Sequence, residues 1–262
     1  MTIRTFIVAR TFIAALAALI VLGSPAAIAQ TDETETCDVP SYFVASDAQL
    51  TRVQDAVKKT KHLEIAVLGT GSSALGGAEG AAKAYPARLQ AALQRRLPGV
   101  TVNVVSQAKI RQTTADMAKT LDKLLIDAKP ALVLWQTGTV DAMRGIDPED
   151  FRSTLDDGVE TLQTGHTDVV LINMQYSPRT ESMIQLGAYA DNMRVVARDR
   201  DVPLFDRLGL MRNWNDNGTF DLYAAAKDNV MASKVHDCLG RALAALVIEA
   251  AHLEKTENRP AQ

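Results

Sequence analysis

A glycine-rich loop with two adjacent serines is the first stretch of this chain whose residue types suit catalysis. It lies in residues 65–80, IAVLGTGSSALGGAEG, where a short apolar run is followed by glycines, Ser72 and Ser73. Glycine has no side chain to block a tight turn, so backbone N–H groups can surround a ligand while a hydroxyl is held outward. Ser72 or Ser73 is therefore the candidate nucleophile, and residues 65–68 have the pattern of a buried strand.

The same loop formally fits a dinucleotide-binding pattern, G-x-G-x-x-[G/A], over residues 69–74. In that fold the next helix opens at the glycines, and an acidic residue at the end of the second strand holds a ribose. Here the loop runs on to Pro86, where the next helix is predicted, and the second predicted strand is followed by Ser106. The sequence therefore favours a serine loop over a nucleotide site, and we expect no cofactor.

The rest of the chain must hold this loop in place, and its apolar pattern alternates between strands and helices. Apolar runs predict strands, and apolar residues at helical spacing predict the helices between them. The predicted strands are 65–68, 100–105, 131–136, 168–174 and 202–206, and the predicted helices are 47–59, 86–97, 114–127, 148–163, 182–199 and 233–253. Continuously apolar strands separated by amphipathic helices pack as a parallel sheet with helices on both faces. We predict a three-layer α/β/α sandwich with a five-stranded parallel sheet.

Polar residues follow the predicted strands at the ends where ligands bind in such sheets. The carboxyl ends of parallel strands meet at one edge of the sheet. Residues there with N–H groups can hold an oxyanion or an anionic substrate group. The candidates are Arg111, Gln136, Asn173 and Arg179. Loop capping is the simpler role for Gln136 and Asn173, and solvation is the simpler role for Arg179.

Residues 1–29 have the pattern of a secretory signal. Basic residues, Arg4 and Arg10, precede the apolar segment 11–22, small residues follow it, and we predict cleavage after Ala29. An uncleaved anchor is the alternative. No later stretch approaches the roughly 20 apolar residues of a membrane-spanning helix. The predicted organisation is a signal peptide at 1–29, an N-terminal segment and helix at 30–62, the α/β/α domain at 63–255 and a disordered tail at 256–262.

The cysteines and the charge balance fit an exported protein that does not bind nucleic acid. Cys37 and Cys238 are the only cysteines. Exported proteins usually pair an even number of cysteines, so we predict one disulfide, with two separate buried thiols as the alternative. The formal net charge is −3, and basic residues form no run. A nucleic-acid partner would require a basic face.

The order of these features resembles the SGNH (GDSL-type) hydrolases. That family has a serine loop after the first strand, a G-x-N-D-like turn after the third strand and a late histidine at the last helix. The corresponding turn here is residues 138–141, GTVD, and the late histidine is His236. The resemblance covers nearly all of the chain after the signal and implies a flavodoxin-like α/β/α fold. It also implies that Ser72 or Ser73 is the nucleophile, with Ser72 narrowly favoured, and that His236 is the general base.

Three positions depart from the family pattern. The aspartate that orients the histidine is replaced by Ser233, and the nearest carboxylates are Asp228 and Asp237. The asparagine of the third motif is Val140, which has no side-chain donor, and Arg111 stands at or near the glycine of the second motif. Loss of one oxyanion donor costs about 3–4 kcal/mol of transition-state stabilisation. We therefore expect other donors at the strand ends to compensate.

The sequence predicts a periplasmic or secreted serine hydrolase that cleaves an O-acyl ester, such as one on an envelope glycan or lipid. The alternative is a non-catalytic relative that binds a carbohydrate or acyl ligand in the cell envelope, which accounts for Val140 and Ser233. The expected partner is a small-molecule, glycan or lipid ester, with no nucleic acid and no stable membrane span after signal cleavage. The other histidines share no ligand spacing, so we expect no metal.

Overall fold

The computed structural model describes residues 37–223 and 228–253. The predicted signal peptide 1–29, the start of the predicted N-terminal segment and the predicted tail 256–262 lie outside these residues. Among the helices of the described residues, none has the length and apolar character needed to cross a membrane.

Five parallel strands form one sheet in the order β2-β1-β3-β4-β5. The strands are β1 (His62–Leu68), β2 (Thr101–Ser106), β3 (Leu132–Gln136), β4 (Asp168–Ile172) and β5 (Leu204–Phe205). The chain builds outward from β1 in both directions, so a crevice forms between the carboxyl ends of β1 and β3. The predicted α/β/α sandwich with a five-stranded parallel sheet is confirmed.

Helices cover both faces of this sheet. They are α1 (Thr51–Asp55), α2 (Gly80–Lys83), α3 (Tyr85–Arg96), α4 (Thr114–Ala118), α5 (Leu121–Asp127), α6 (Thr139–Arg144), α7 (Pro148–Thr164), α8 (Pro178–Met183), α9 (Gly187–Asp199), α10 (Arg207–Asp216) and α11 (Val230–Ala250). A π-helical turn, Ala56–Thr60, extends α1, and short 3-10 turns lie at Ser41–Phe43 and Gly71–Ser73. On one face α3 packs against α11, and on the other α7 packs against α9.

The structure divides two helices that the periodicity predicts as single elements. The predicted helix 114–127 is α4 followed by α5, because the Thr120 hydroxyl donates to the carbonyl oxygen of Met117 at 2.7 Å and closes α4. The predicted helix 182–199 is α8 followed by α9, because the backbone at Ile184 is extended. Helices α2, α6 and α10 were not predicted, and α10 proves to matter for the site.

Close packing in the core depends on a glycine where α7 crosses β3. A Cβ on Gly158 would lie 2.4 Å from the indole ring of Trp135, a fully buried side chain of β3. This crossing fixes how β3 lies under α7, and so fixes the position of the carboxyl end of β3, where Gln136 stands.

The predicted disulfide is present and connects the start of the described chain to the last helix. Cys37 is bonded to Cys238 of α11, with their Cα atoms 5.6 Å apart. Hydrogen bonds reinforce this connection: the backbone N–H of Leu50 donates to the carbonyl of Ala250 at 2.9 Å. The N-terminal segment is therefore held against α11 at both ends.

Candidate active site

The serine loop leaves β1 at the crevice between β1 and β3 and turns sharply. Its backbone closes a 3-10 turn in which the N–H of Ser73 donates to the carbonyl of Thr70 at 2.9 Å. Gly69 precedes this turn, and a Cβ there would lie 2.2 Å from the Ser73 hydroxyl oxygen and 3.3 Å from Gln136 Oε1. Only glycine allows the loop and the end of β3 to approach this closely.

Gln136 is the acceptor on which the loop hydroxyls converge. Its side chain is fully buried, and its Oε1 accepts from Ser73 Oγ at 2.7 Å, from Ser72 Oγ at 3.1 Å and from Thr70 Oγ1 at 3.4 Å. Its Nε2 is buried and has no hydrogen-bond partner within the described residues. One amide therefore positions both candidate nucleophiles and keeps two N–H groups unused.

The two serines differ in what a ligand can reach. Ser73 is 1% exposed, and its hydroxyl donates to Gln136 while it accepts from the Tyr85 hydroxyl at 3.1 Å. Ser72 is half-buried, and its hydroxyl oxygen lies 3.4 Å from Nη1 of Arg207. Ser73 is thus held inside the protein by two hydrogen bonds, whereas Ser72 faces the crevice.

His236 lies nearly two turns into α11 and is 5% exposed. The backbone N–H of Tyr85 donates to its Nδ1 at 3.0 Å. A neutral imidazole has one N–H and one acceptor nitrogen, so this bond places the ring proton on Nε2. Burial, assisted by the charge of Arg207, lowers the pKa of His236 to about 3 and keeps the ring neutral. In the described part of the chain the ring has no hydrogen bond to Ser72 or Ser73.

The carboxylates nearest to His236 in sequence point to other partners. Asp237 pairs with Arg241 at 3.0 Å, and the Asp228 carboxylate accepts the backbone N–H of Val230 at 3.0 Å. Ser233 occupies the family's aspartate position within α11. Within residues 37–223 and 228–253, no carboxylate is hydrogen-bonded to the His236 ring.

The turn after β3 joins two loops through a buried carboxylate. Asp141, on α6, is 2% exposed and accepts from the backbone N–H of Thr114 at 2.9 Å and from its hydroxyl at 3.1 Å. The turn begins at Gly138, whose φ of 95° is in the region that favours glycine. Asp141 therefore fixes the loop after β2 to the loop after β3.

Of the other predicted donors, Asn173 has a structural role, because its side chain hydrogen-bonds to the start of α10. It is fully buried, its Nδ2 donates to Asp206 at 2.6 Å and its Oδ1 accepts the backbone N–H of Leu208 at 2.8 Å. Arg111 and Arg179 are exposed, and the Arg179 guanidinium lies 5.9 Å from the ring centre of Tyr223. None of the three hydrogen-bonds to a serine in the described part of the chain, so Gln136 alone of the four predicted donors contacts one.

Arg207, like Tyr85, is a residue of this site that the sequence did not identify. It opens α10, directly after β5 and Asp206, and it is 1% exposed. Its guanidinium lies beside Ser72 and 5.8 Å from the ring centre of Tyr85. The available signal was a basic residue directly after the last predicted strand, at the same sheet edge as the serine loop.

Three solved structures share this architecture. An acetylxylan esterase from Geobacillus stearothermophilus is 18% identical, with a TM-score of 0.58, over 71% of this chain and 94% of that one. An α/β hydrolase from the metagenome of Lake Arreo, Spain, is 20% identical, with a TM-score of 0.57, over 79% of this chain and 98% of that one. TesA is 22% identical, with a TM-score of 0.54, over 69% of this chain and 97% of that one.

The α/β/α fold, together with the match of a lipase-like family model to most of the chain, places it among the SGNH/GDSL-type hydrolases, a class that acts on ester bonds. No curated protein matches the chain significantly. The chain belongs to the Non-GDSL lipase-like family, whose model matches residues 36–253.

Proposed function

We propose that this protein is an exported hydrolase of O-acyl esters in which Ser72 is the nucleophile. The observation that carries the proposal is the position of the Ser72 hydroxyl, half-buried at the β1–β3 crevice between Gln136 and Arg207. Ser73 lacks this access because Tyr85 and Gln136 occupy its hydroxyl.

The chemistry has four steps. Ser72 Oγ bonds to the ester carbonyl carbon, and the carbonyl oxygen becomes an oxyanion. The guanidinium of Arg207, beside the Ser72 hydroxyl, is the side-chain N–H donor we assign to that oxyanion. The C–O bond to the alcohol then breaks, and the alcohol leaves with the proton that Ser72 gave up. Water finally hydrolyses the acyl-serine and releases the acid.

The predicted base for the serine proton is His236. In the resting structure its only unprotonated nitrogen, Nδ1, accepts from the backbone N–H of Tyr85. The imidazole must release this N–H before it can accept a proton from Ser72. A Ser–His mechanism therefore requires a rearrangement at the start of α3, and His236→Asn should abolish ester turnover.

The second candidate is a non-catalytic protein that binds a carbohydrate or acyl ligand. The observation in its favour is the same His236–Tyr85 hydrogen bond, together with the engagement of Asp228 and Asp237 elsewhere. A buried neutral histidine without an orienting carboxylate is suited to holding α11 against α3.

The substrate class and the location are further parts of the proposal. The acetylxylan esterase with the same fold supports an O-acyl group on a glycan as the substrate. The predicted signal and the Cys37–Cys238 disulfide support an oxidising compartment outside the cytoplasm. The mass of the protein recovered from a periplasmic or culture fraction tests cleavage after Ala29; the full-length mass would contradict it.

The deciding experiment is labelling with a fluorophosphonate, followed by peptide mapping, in wild type, Ser72→Ala and Ser73→Ala. We expect label on Ser72 in wild type and in Ser73→Ala, and none in Ser72→Ala. Label on Ser73 would reassign the nucleophile. No label on folded, disulfide-bonded protein would reject the hydrolase in favour of the binding protein.

A further inference from the structure

Arg207 is a buried cation with no carboxylate partner among the described residues. Its side chain is 1% exposed, and within the described residues it forms no ion pair. The neighbouring Asp206 is used elsewhere: its Oδ1 accepts from Asn173 at 2.6 Å and from the N–H of Gly209 at 2.9 Å, and its Oδ2 lies 3.3 Å from Arg194. Burial lowers the pKa of Arg207 only to about 10, so the guanidinium is charged at neutral pH.

The hydrogen bonds of this guanidinium are few and long. Nη1 lies 3.4 Å from Ser72 Oγ, Nη2 lies 3.5 Å from Gln175 Oε1, and the buried Nε has no partner in the described part of the chain. A charged donor paired with an anion makes bonds of about 2.7–2.9 Å. The N–H groups of Arg207 could therefore make shorter and stronger hydrogen bonds than these two neutral oxygens provide.

The two neutral partners of the guanidinium are themselves partly open to solvent. Ser72 and Gln175 are both half-buried, so the same two side chains that face solvent also touch Arg207. The other ionisable side chains packed here add no opposing charge, because His236 is neutral and burial raises the pKa of Tyr85. An anion that entered beside Ser72 would replace two weak hydrogen bonds and meet an uncompensated positive charge.

We propose that Arg207 binds an oxyanion, the carboxylate or phosphate group of a ligand that enters the crevice beside Ser72. Both groups match the paired N–H donors of a guanidinium. The inference deepens the proposed function by assigning a negative charge to the ligand, but it does not require Ser72 to react. It also assigns anion binding to Arg207 rather than to Arg179, which the sequence offered as one candidate with solvation as its simpler role.

The first test compares Ser72→Asp with Ser72→Asn. The two side chains have nearly the same shape, but only aspartate brings a carboxylate to Nη1 of Arg207. We expect Ser72→Asp to melt about 2–6 °C above Ser72→Asn at neutral pH. A melting temperature of Ser72→Asp at or below that of Ser72→Asn would overturn the proposal.

The second test measures melting temperatures in sodium acetate and sodium phosphate against sodium chloride of the same ionic strength. At ten times the dissociation constant, a ligand of the folded state raises the melting temperature by about 3–6 °C. We expect this rise in wild type, in Ser72→Asn and in the control Arg179→Gln, and its loss in Ser72→Asp. A response to only one anion supports the proposal and identifies the group.

No response of wild type to either anion, or an equal response in Ser72→Asp, would overturn the proposal. These readouts are independent of turnover. Failure of fluorophosphonate labelling would reject the hydrolase but would not affect the proposed anion site. Failure of the anion titration would reject the anion site but would not affect the proposed hydrolase.

Discussion

The buried imidazole of His236 should make the folded protein sensitive to acid. Its pKa is about 3 in the folded state and 6.5 for the free side chain, so between these values the unfolded chain binds more protons than the native protein. The contribution of the neutral imidazole to the free energy of unfolding is fully present above pH 6.5 and is lost as the pH drops towards 3. The loss is about 2–3 kcal/mol at pH 4.5 and about 4 kcal/mol at pH 3, where the folded imidazole is itself half protonated.

His236→Asn is the perturbation that isolates this effect. The Oδ1 of asparagine can take the place of Nδ1 and accept the backbone N–H of Tyr85, but it does not titrate. We expect the variant to be less stable than wild type at pH 7.5, because it loses packed volume. At pH 4.5 we expect that difference to shrink by about 2–3 kcal/mol, since only wild type must bury a neutral histidine.

Urea unfolding at pH 7.5 and 4.5 measures both free energies. His62→Asn is the matched control, because His62 is half-exposed at 52% and lies outside the core. If His236→Asn and wild type lose the same stability between the two pH values, the imidazole is not held neutral and the assignment of its Nδ1 as an acceptor is refuted.

Two further predictions concern α11. Gly240→Ala should destabilise the protein by about 1–3 kcal/mol, because its Cβ would lie 2.5 Å from α3; Gly187→Ala, with open space around it, should be near neutral in the same melting experiment. Cys37→Ser with Cys238→Ser should lower stability by up to about 5 kcal/mol, and an unchanged melting temperature after reduction of wild type would contradict this.

The fold could be predicted because its determinants are local. Each strand is a short apolar run, and each long helix has an apolar stripe, as in α7 with its proline at the first turn. The disulfide could be predicted from the number of cysteines and from the predicted export signal. The helices that the periodicity missed are short, and α10 in particular follows a strand of only two residues, Leu204–Phe205.

The site was harder to predict because its roles depend on what meets across the crevice. Gln136 could be identified because polar residues at the carboxyl ends of parallel strands meet at one edge of the sheet, and its place at the end of β3 brings it to the serine loop. The position of the loop could not separate Ser72 from Ser73, because Tyr85 lies on another element and hydrogen-bonds to the hydroxyl of Ser73 alone. The partner of His236 and the burial of Arg207 depend on how α11, α3 and α10 pack, which residue spacing does not encode.

The place of α11 in the chain sets the order in which the protein is completed. This helix supplies a buried wall, including Leu239, Leu243 and Val247, and it packs on α3 from the far end of the chain. During synthesis the apolar face of α3 therefore emerges long before its partner exists. The nascent chain cannot finish this part of its core until α11 has left the ribosome, so the contact between α3 and α11 is made late in synthesis.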